Sequence, residues 1–118
     1  MADYLPKFKP GQAVTFTASA AVIGGRLVAV TGDRTVGPAG ADALAVGVAG
    51  FDAAISETVT VYGGGVQRLT ASGAIVAGVQ VISATAGKIA TIGVGVNSIG
   101  IALQAAAADG DVIDVQTN

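Results

Sequence analysis

Ala13-Val14-Thr15-Phe16-Thr17-Ala18 alternates apolar Val14 and Phe16 with Thr15 and Thr17, the period-2 pattern of a strand with one buried face. Outward from it, the same kind of short run recurs between Gly, Asp and Ser. Leu27 to Thr31 is followed by a Thr31-Gly32-Asp33-Arg34 turn and a brief return at Thr35 and Val36. Val46 to Ala49 and Thr58 to Tyr62 continue the series, and Gly63-Gly64-Gly65 closes this half. Beyond the glycines, strands are predicted at Val66 to Thr70, Val79 to Ser83, Lys88 to Ile92, Ile99 to Gln104 and Asp111 to Gln116. Many short strands at near-regular spacing predict an all-β fold, a small β-barrel or β-sandwich with almost no helix.

Composition agrees with the pattern. The 118 residues fit one domain. They include 17 Val, 9 Ile and 10 Thr against 5 Leu and 1 Met, and β-branched side chains suit pleated sheets better than helices. The mean hydropathy of +0.69 overstates the core, because 24 Ala and 18 Gly contribute little side chain to bury. Charged residues make up 12%, about half the usual share, so part of the surface is expected to be covered by partners.

The chain also repeats itself. An ungapped shift of 53 residues puts Thr17-Ala18-Ser19 on Thr70-Ala71-Ser72, Gly25 on Gly78, Val28 on Val81, Gly47 on Gly100, Ala49 on Ala102 and Val59 on Val112. From Ala13 to Tyr62, 12 of 50 pairs are identical where this composition gives about 5 by chance. Internal duplication is therefore expected, with a single β-domain over 13–118 built of similar halves at about 13–62 and 66–115. Phe51 to Ser56 and Gln104 to Asp109 should then be equivalent loops or single helical turns. Residues 1–12 form an extended N-terminal arm, since Pro6 and Pro10 oppose helix while Tyr4, Leu5 and Phe8 need something to bury against.

Several function classes lack their residues. Lys7, Lys9, Arg26, Arg34, Arg68 and Lys88 are scattered and the net charge is -2, so no basic stripe for nucleic acid is present. With no Cys and no His, zinc sites of the usual kind and disulfides are excluded. Gly63-Gly64-Gly65 lacks the Gly-Lys-Ser/Thr and helix of a phosphate loop and reads as a connection. Asp109-Gly110-Asp111 with Asp114 lacks the spacing of a calcium loop and reads as a turn. Ile89 to Ala108 is uncharged, but Gly93, Gly95, Asn97, Ser98 and Gly100 divide it into strand-like pieces, so no membrane span is expected. The N-terminus has no signal-peptide pattern. No catalytic residue, metal site or cofactor is predicted, because no base stands in motif context beside a nucleophile.

The stretches Tyr4 to Ala18, Gly24 to Asp33, Val46 to Ala54, Val61 to Leu69, Ala77 to Val81 and Ile99 to Leu103 resemble the capsid cement, or head decoration, proteins of tailed bacteriophages. That resemblance implies a β-barrel or β-tulip-like module on the outer surface of the virion capsid, bound to the major capsid protein, commonly as a homotrimer at three-fold and quasi-three-fold points. It also implies that the arm, Ala2, Asp3, Tyr4, Leu5, Pro6, Lys7, Phe8, Lys9 and Pro10, contacts the capsid. The alternative in another class is a virion-associated or secreted carbohydrate-recognising β-sandwich. Its supply of aromatic faces is poor, with no Trp and only Tyr4, Tyr62, Phe8, Phe16 and Phe51.

Overall fold

Alternation of β-branched and small residues yields ten strands: β1 Val14–Ala18, β2 Leu27–Gly32, β3 Thr35–Pro38, β4 Ala45–Ala49, β5 Thr58–Tyr62, β6 Val66–Thr70, β7 Gln80–Ser83, β8 Ile89–Thr91, β9 Ser98–Ala102 and β10 Val112–Thr117. The computed structural model describes residues 7–8 and 11–118. Among them there is no α-helix, only a 3-10 turn at Thr85–Gly87. Strands β1-β3-β2-β4-β5 close into a barrel, and the rest form a five-stranded sheet ordered β6-β10-β9-β7-β8.

The pairings of the second sheet repeat those of the first. β1 pairs with β5 as β6 does with β10, β2 with β3 as β7 with β8, and β4 lies between β2 and β5 as β9 lies between β7 and β10. The parallel contact of Ala18 with Val36, which closes the barrel, has its counterpart in an isolated parallel bridge between Ala71 and Ile89. Outside the ladders several hydrogen bonds match as well. Val22 and Ala53 exchange N–H···O bonds, as do Ile75 and Ala106, and the Ser19 and Ser72 hydroxyls donate to the carbonyls of Val36 and Ile89.

Each half has its own apolar cluster. Phe16, Ala18, Val22, Val28, Val36, Ala49 and Ala53 occupy the places of Leu69, Ala71, Ile75, Val81, Ile89, Ala102 and Ala106 at an offset of 53. Past the loops the offset becomes 54, so Val59 and Val61 match Ile113 and Val115. This corrects the ungapped alignment of Val59 with Val112: Val59 is buried and Val112 is half exposed. The extra residue lies in the loop before β10. There the left-handed Gly110 donates its N–H to Ala71, as the left-handed Ser56 does to Ala18. These are equivalent loops with no helix: each carries a single bridge and ends in a turn closed by the N–H of Glu57 on Ala54 or of Asp111 on Ala108.

Leu27, Ala39 and Val48 belong to the first half by sequence but sit in the second cluster, welding the halves together. β4 and β9 each carry a bulge against the neighbouring strand, at Val46 and Ile99. A bulge bends its strand locally, and Gly47 and Gly100 follow these bulges in each half. A Cβ on Gly47 would lie 2.5 Å from the Tyr62 carbonyl oxygen, and one on Gly100 would strike that of Gln116.

Candidate docking surface

The three most exposed large apolar side chains among the described residues are Leu44, Val94 and Val96, at 79%, 102% and 79%. All three stand on two loops, 39–44 between β3 and β4 and 92–97 between β8 and β9. At an offset of 53 these are the equivalent loops of the two halves. Asp42 fastens them together. Its backbone is left-handed (φ +50°), a conformation that Asp adopts more readily than bulky residues. Its carboxylate accepts the N–H of Val96 at 3.2 Å and of Asn97 at 2.9 Å, and the Asn97 amide donates to the Asp42 carbonyl at 2.9 Å. Charged acceptors of this kind make hydrogen bonds of roughly 1.5–3 kcal/mol. A further tie comes from Asp42, whose N–H donates to the carbonyl of Ser83; the buried Ser83 hydroxyl donates to Gly40 at 2.6 Å. The exposed aliphatics are thus held on an ordered platform.

Beside the platform lies a groove of about 220 Å³. Its walls are again equivalent segments of the two halves: 44–46 faces 97–99, and Gly63-Gly64 faces Thr117-Asn118. Tyr62, half exposed, supplies an aromatic wall, and no charged side chain lines the groove. In the second half Asn118 continues the ladder beyond β10, its N–H donating to the Ile99 carbonyl at 3.0 Å and its side-chain amide to Ser98 at 2.8 Å. In the first half the ladder stops at Val48 and Tyr62. Among the described residues, no N–H of Gly63, Gly64 or Gly65 is donated to Val46.

Of the arm residues expected to bind the capsid, Ala2, Asp3, Tyr4, Leu5, Pro6, Lys9 and Pro10 lie outside the described residues. Lys7 is exposed. Phe8 is partly buried, its ring centroid 5.1 Å from the Arg34 guanidinium carbon, which also lies 5.4 Å from the Phe16 centroid. Arg34 stands in the β2–β3 turn and donates as well to the Thr15 carbonyl. A guanidinium shared by two rings ties Phe8 to the barrel wall through cation–π attraction.

The carboxylates considered for calcium are engaged separately. Asp111 accepts the N–H groups of Ala107 and Ala108, and Asp109 pairs with Lys88 at 3.2 Å. The triple glycine is the link between the halves, with the Gly65 carbonyl accepting from the Thr117 N–H and hydroxyl. Among the described residues no helix is long and apolar enough to cross a membrane.

Sequence reasoning passed over Leu44, Val94, Val96 and the clasp at Asp42. A signal was present: Ala41-Asp42-Ala43-Leu44 and Gly93-Val94-Gly95-Val96-Asn97 put large aliphatics among turn residues, where no strand or helix period requires them.

The phage cement protein family matches residues 8–117 of the chain. Among solved structures the chain is similar to the head fiber gp8.5 N base in bacteriophage phi29. The TM-score is 0.69 and the identity 20%, covering 90% of this chain and 92% of that one, a likeness of fold. No curated protein matches.

Proposed function

This chain belongs to the phage cement protein family, capsid-associated structural components of the virion, and we propose that it binds the outer surface of the assembled head and stabilises contacts between capsomers of the major capsid protein. The observation that carries this reading is the platform. A free domain gains nothing from holding Leu44, Val94 and Val96 in water on loops fixed by a buried hydroxyl and a carboxylate clasp. A docking face does gain, because each such side chain contributes roughly 1.5–3 kcal/mol when covered.

The proposal extends to the arm. Residues Ala2 to Pro10 reach the capsid as a second contact, rooted on the barrel by the Arg34–Phe8 stack. Copies assemble as homotrimers at three-fold and quasi-three-fold positions, which lets one protein bridge several capsomers. Cementing is then linkage: a ligand that binds only the assembled lattice stabilises it by mass action at every occupied site. No catalysis, cofactor, nucleic acid or membrane enters this role.

The test mixes purified protein with undecorated, expanded heads and measures occupancy by co-sedimentation across a concentration series. Wild-type protein should saturate the heads and raise their disruption temperature. Leu44→Asp and Val94→Asp, both at highly exposed positions outside the Asp42 clasp, should fold normally and shift half-saturation upward at least about tenfold. Deletion of Ala2 to Pro10 should leave a folded β-domain, because the strands begin at Val14, and should weaken attachment. Unchanged occupancy with Leu44→Asp and Val94→Asp would remove the platform from the interface.

A further inference from the structure

The groove beside the platform has a shape that the molecule itself explains. At the equivalent position of the second half, the chain fills the slot with its own extended backbone: Thr117 pairs with Gly100, and Asn118 donates to Ile99 and Ser98. At an offset of 54 for β10 and 53 for β9, the same slot in the first half is bounded by Val46, Gly47, Gly63 and Gly64. There the chain turns away at the left-handed Gly64 and Gly65. The bulge residue Val46, counterpart of Ile99, lines the groove, and its carbonyl receives no N–H from Gly63, Gly64 or Gly65.

We propose that this slot is a strand-addition site that receives an extended, uncharged segment of the major capsid protein, whose backbone N–H completes the ladder at the Val46 carbonyl. This deepens the reading of the chain as a capsid-bound cement and rests on it. Three features fit that occupant. The absence of charged side chains in the lining favours an uncharged guest. The equivalent slot shows that extended backbone fits between these walls, with an amide donor at the position of Asn118. The aliphatic and aromatic walls Leu44, Val46 and Tyr62 suit one apolar side chain of the guest, in the manner of strand addition, where ladder bonds supply affinity and alternate side chains supply specificity. Leu44 belongs to both platform and groove, so the two contacts are continuous.

Gly63 gives a clean test. Its backbone is not left-handed, and a Cβ there meets only the Val46 carbonyl oxygen, at 3.7 Å, an ordinary contact. The Cβ of Gly63→Ala therefore fits the free protein beside the acceptor, and Gly63→Val extends that cover, its melting temperature checking that the branches fit too. In the head-binding assay, Gly63→Val should raise half-saturation at least about tenfold with an unchanged melting temperature, and Gly63→Ala should raise it less. Equal binding by wild type and Gly63→Val, with Leu44→Asp still impaired, would overturn strand addition and leave capsid attachment standing. Failure of the wild type to bind heads would overturn capsid attachment itself. A photo-crosslinking phenylalanine analogue at Tyr62 provides a readout that does not depend on how Gly63 variants fold. On decorated heads it should yield an adduct to one segment of the major capsid protein. An adduct to a second copy of this chain, or none, would overturn the proposal.

Discussion

Replacing Gly87 by Ala tests the seam that joins the halves. Gly87 ends the 3-10 turn of the second half and packs on β2 of the first. Its N–H donates to the Ala39 carbonyl at 2.8 Å, its φ is +74°, and a Cβ would lie 2.5 Å from the Leu27 carbonyl oxygen and 3.0 Å from the Leu27 nitrogen. Three terms follow. Left-handed backbone costs alanine about 1–2 kcal/mol. Relief of the overlap must move the turn off β2, weakening the bond to Ala39 by about 1 kcal/mol. The same movement loosens Leu27, Ala39 and Val48 in the second cluster, at about 1–2 kcal/mol for partial exposure. Alanine also restrains the unfolded chain, which returns about 0.5 kcal/mol. The expected loss is about 3–4 kcal/mol, or roughly 12 °C in melting temperature for a domain of this size. Two glycines isolate the contact term. Gly78 is left-handed with nothing near its Cβ position, so Gly78→Ala should cost only the backbone term, about 1–2 kcal/mol. Gly73 is open and not left-handed, so Gly73→Ala should stay within about 0.5 kcal/mol of wild type. Urea unfolding followed by circular dichroism ranks the three. A Gly87→Ala loss no larger than that of Gly78→Ala would refute the close seam.

Asp42→Ala should cost about 1.5–3 kcal/mol and accelerate hydrogen exchange at the Val96 and Asn97 amides, which amide-resolved exchange measures directly. Ser83→Ala leaves the Gly40 carbonyl without its buried donor and should cost about 1–2 kcal/mol in chemical unfolding. Ser56→Gly relieves a left-handed serine (φ +73°) and should stabilise by about 0.5 kcal/mol after the entropy of the freer unfolded chain is counted. The reciprocal Gly110→Ser should destabilise by about 1 kcal/mol, since its counterpart geometry is the same. Thermal melts of the pair check both signs.

The strands were legible because each needs only a period. Val14, Phe16 and Ala18 alternate with Thr15 and Thr17, and the fold places Phe16 and Ala18 in the core. Gly47 and Gly100 coincide in the 53-residue shift, and each follows a bulge where a side chain would meet the facing strand, so the same backbone need falls on the same residue. The slip from 53 to 54 was hidden because it falls in a loop, where no burial fixes the register; Val112 matches Val59 in identity but points to solvent. Closure of the first barrel depends on a parallel contact between β1 and β3, non-adjacent strands whose pairing leaves no local pattern. The docking platform escaped notice for a similar reason. Leu44, Val94 and Val96 become a surface only when Asp42 joins two loops more than fifty residues apart in sequence.

That clasp also explains why two unlike halves serve where two identical ones would not. Asp42 and position 95 are equivalent at the offset of 53, and they face each other: a Cβ on Gly95 would lie 3.2 Å from the Asp42 carboxylate oxygen. Equivalent positions meet in this way across a two-fold axis. In a dimer of identical units, residue 42 would meet its own copy. Two aspartates would then repel across the loops, and two glycines would leave the facing N–H groups of Val96 and Asn97 without their charged acceptor. One chain carrying both halves can place a carboxylate on one side and free N–H groups on the other. The same departure from symmetry occurs a few residues away, where Asn118 closes the slot of the second half while Gly63 and Gly64 leave that of the first open. At this shared end, where the platform and the groove lie, the halves thus differ in ways that the matched core positions, such as Val28 with Val81 and Ala49 with Ala102, do not. Substituting Gly95 by Asp should therefore loosen the 92–97 loop and weaken head binding together, through overlap of its Cβ with the Ile92 carbonyl oxygen at 2.9 Å, which Gly95→Ala shares, and through like charge beside Asp42, the part that is stronger at low salt than at high salt. Loss of binding without faster exchange at Val96 and Asn97 would separate the clasp from the docking face and refute this account of the asymmetry.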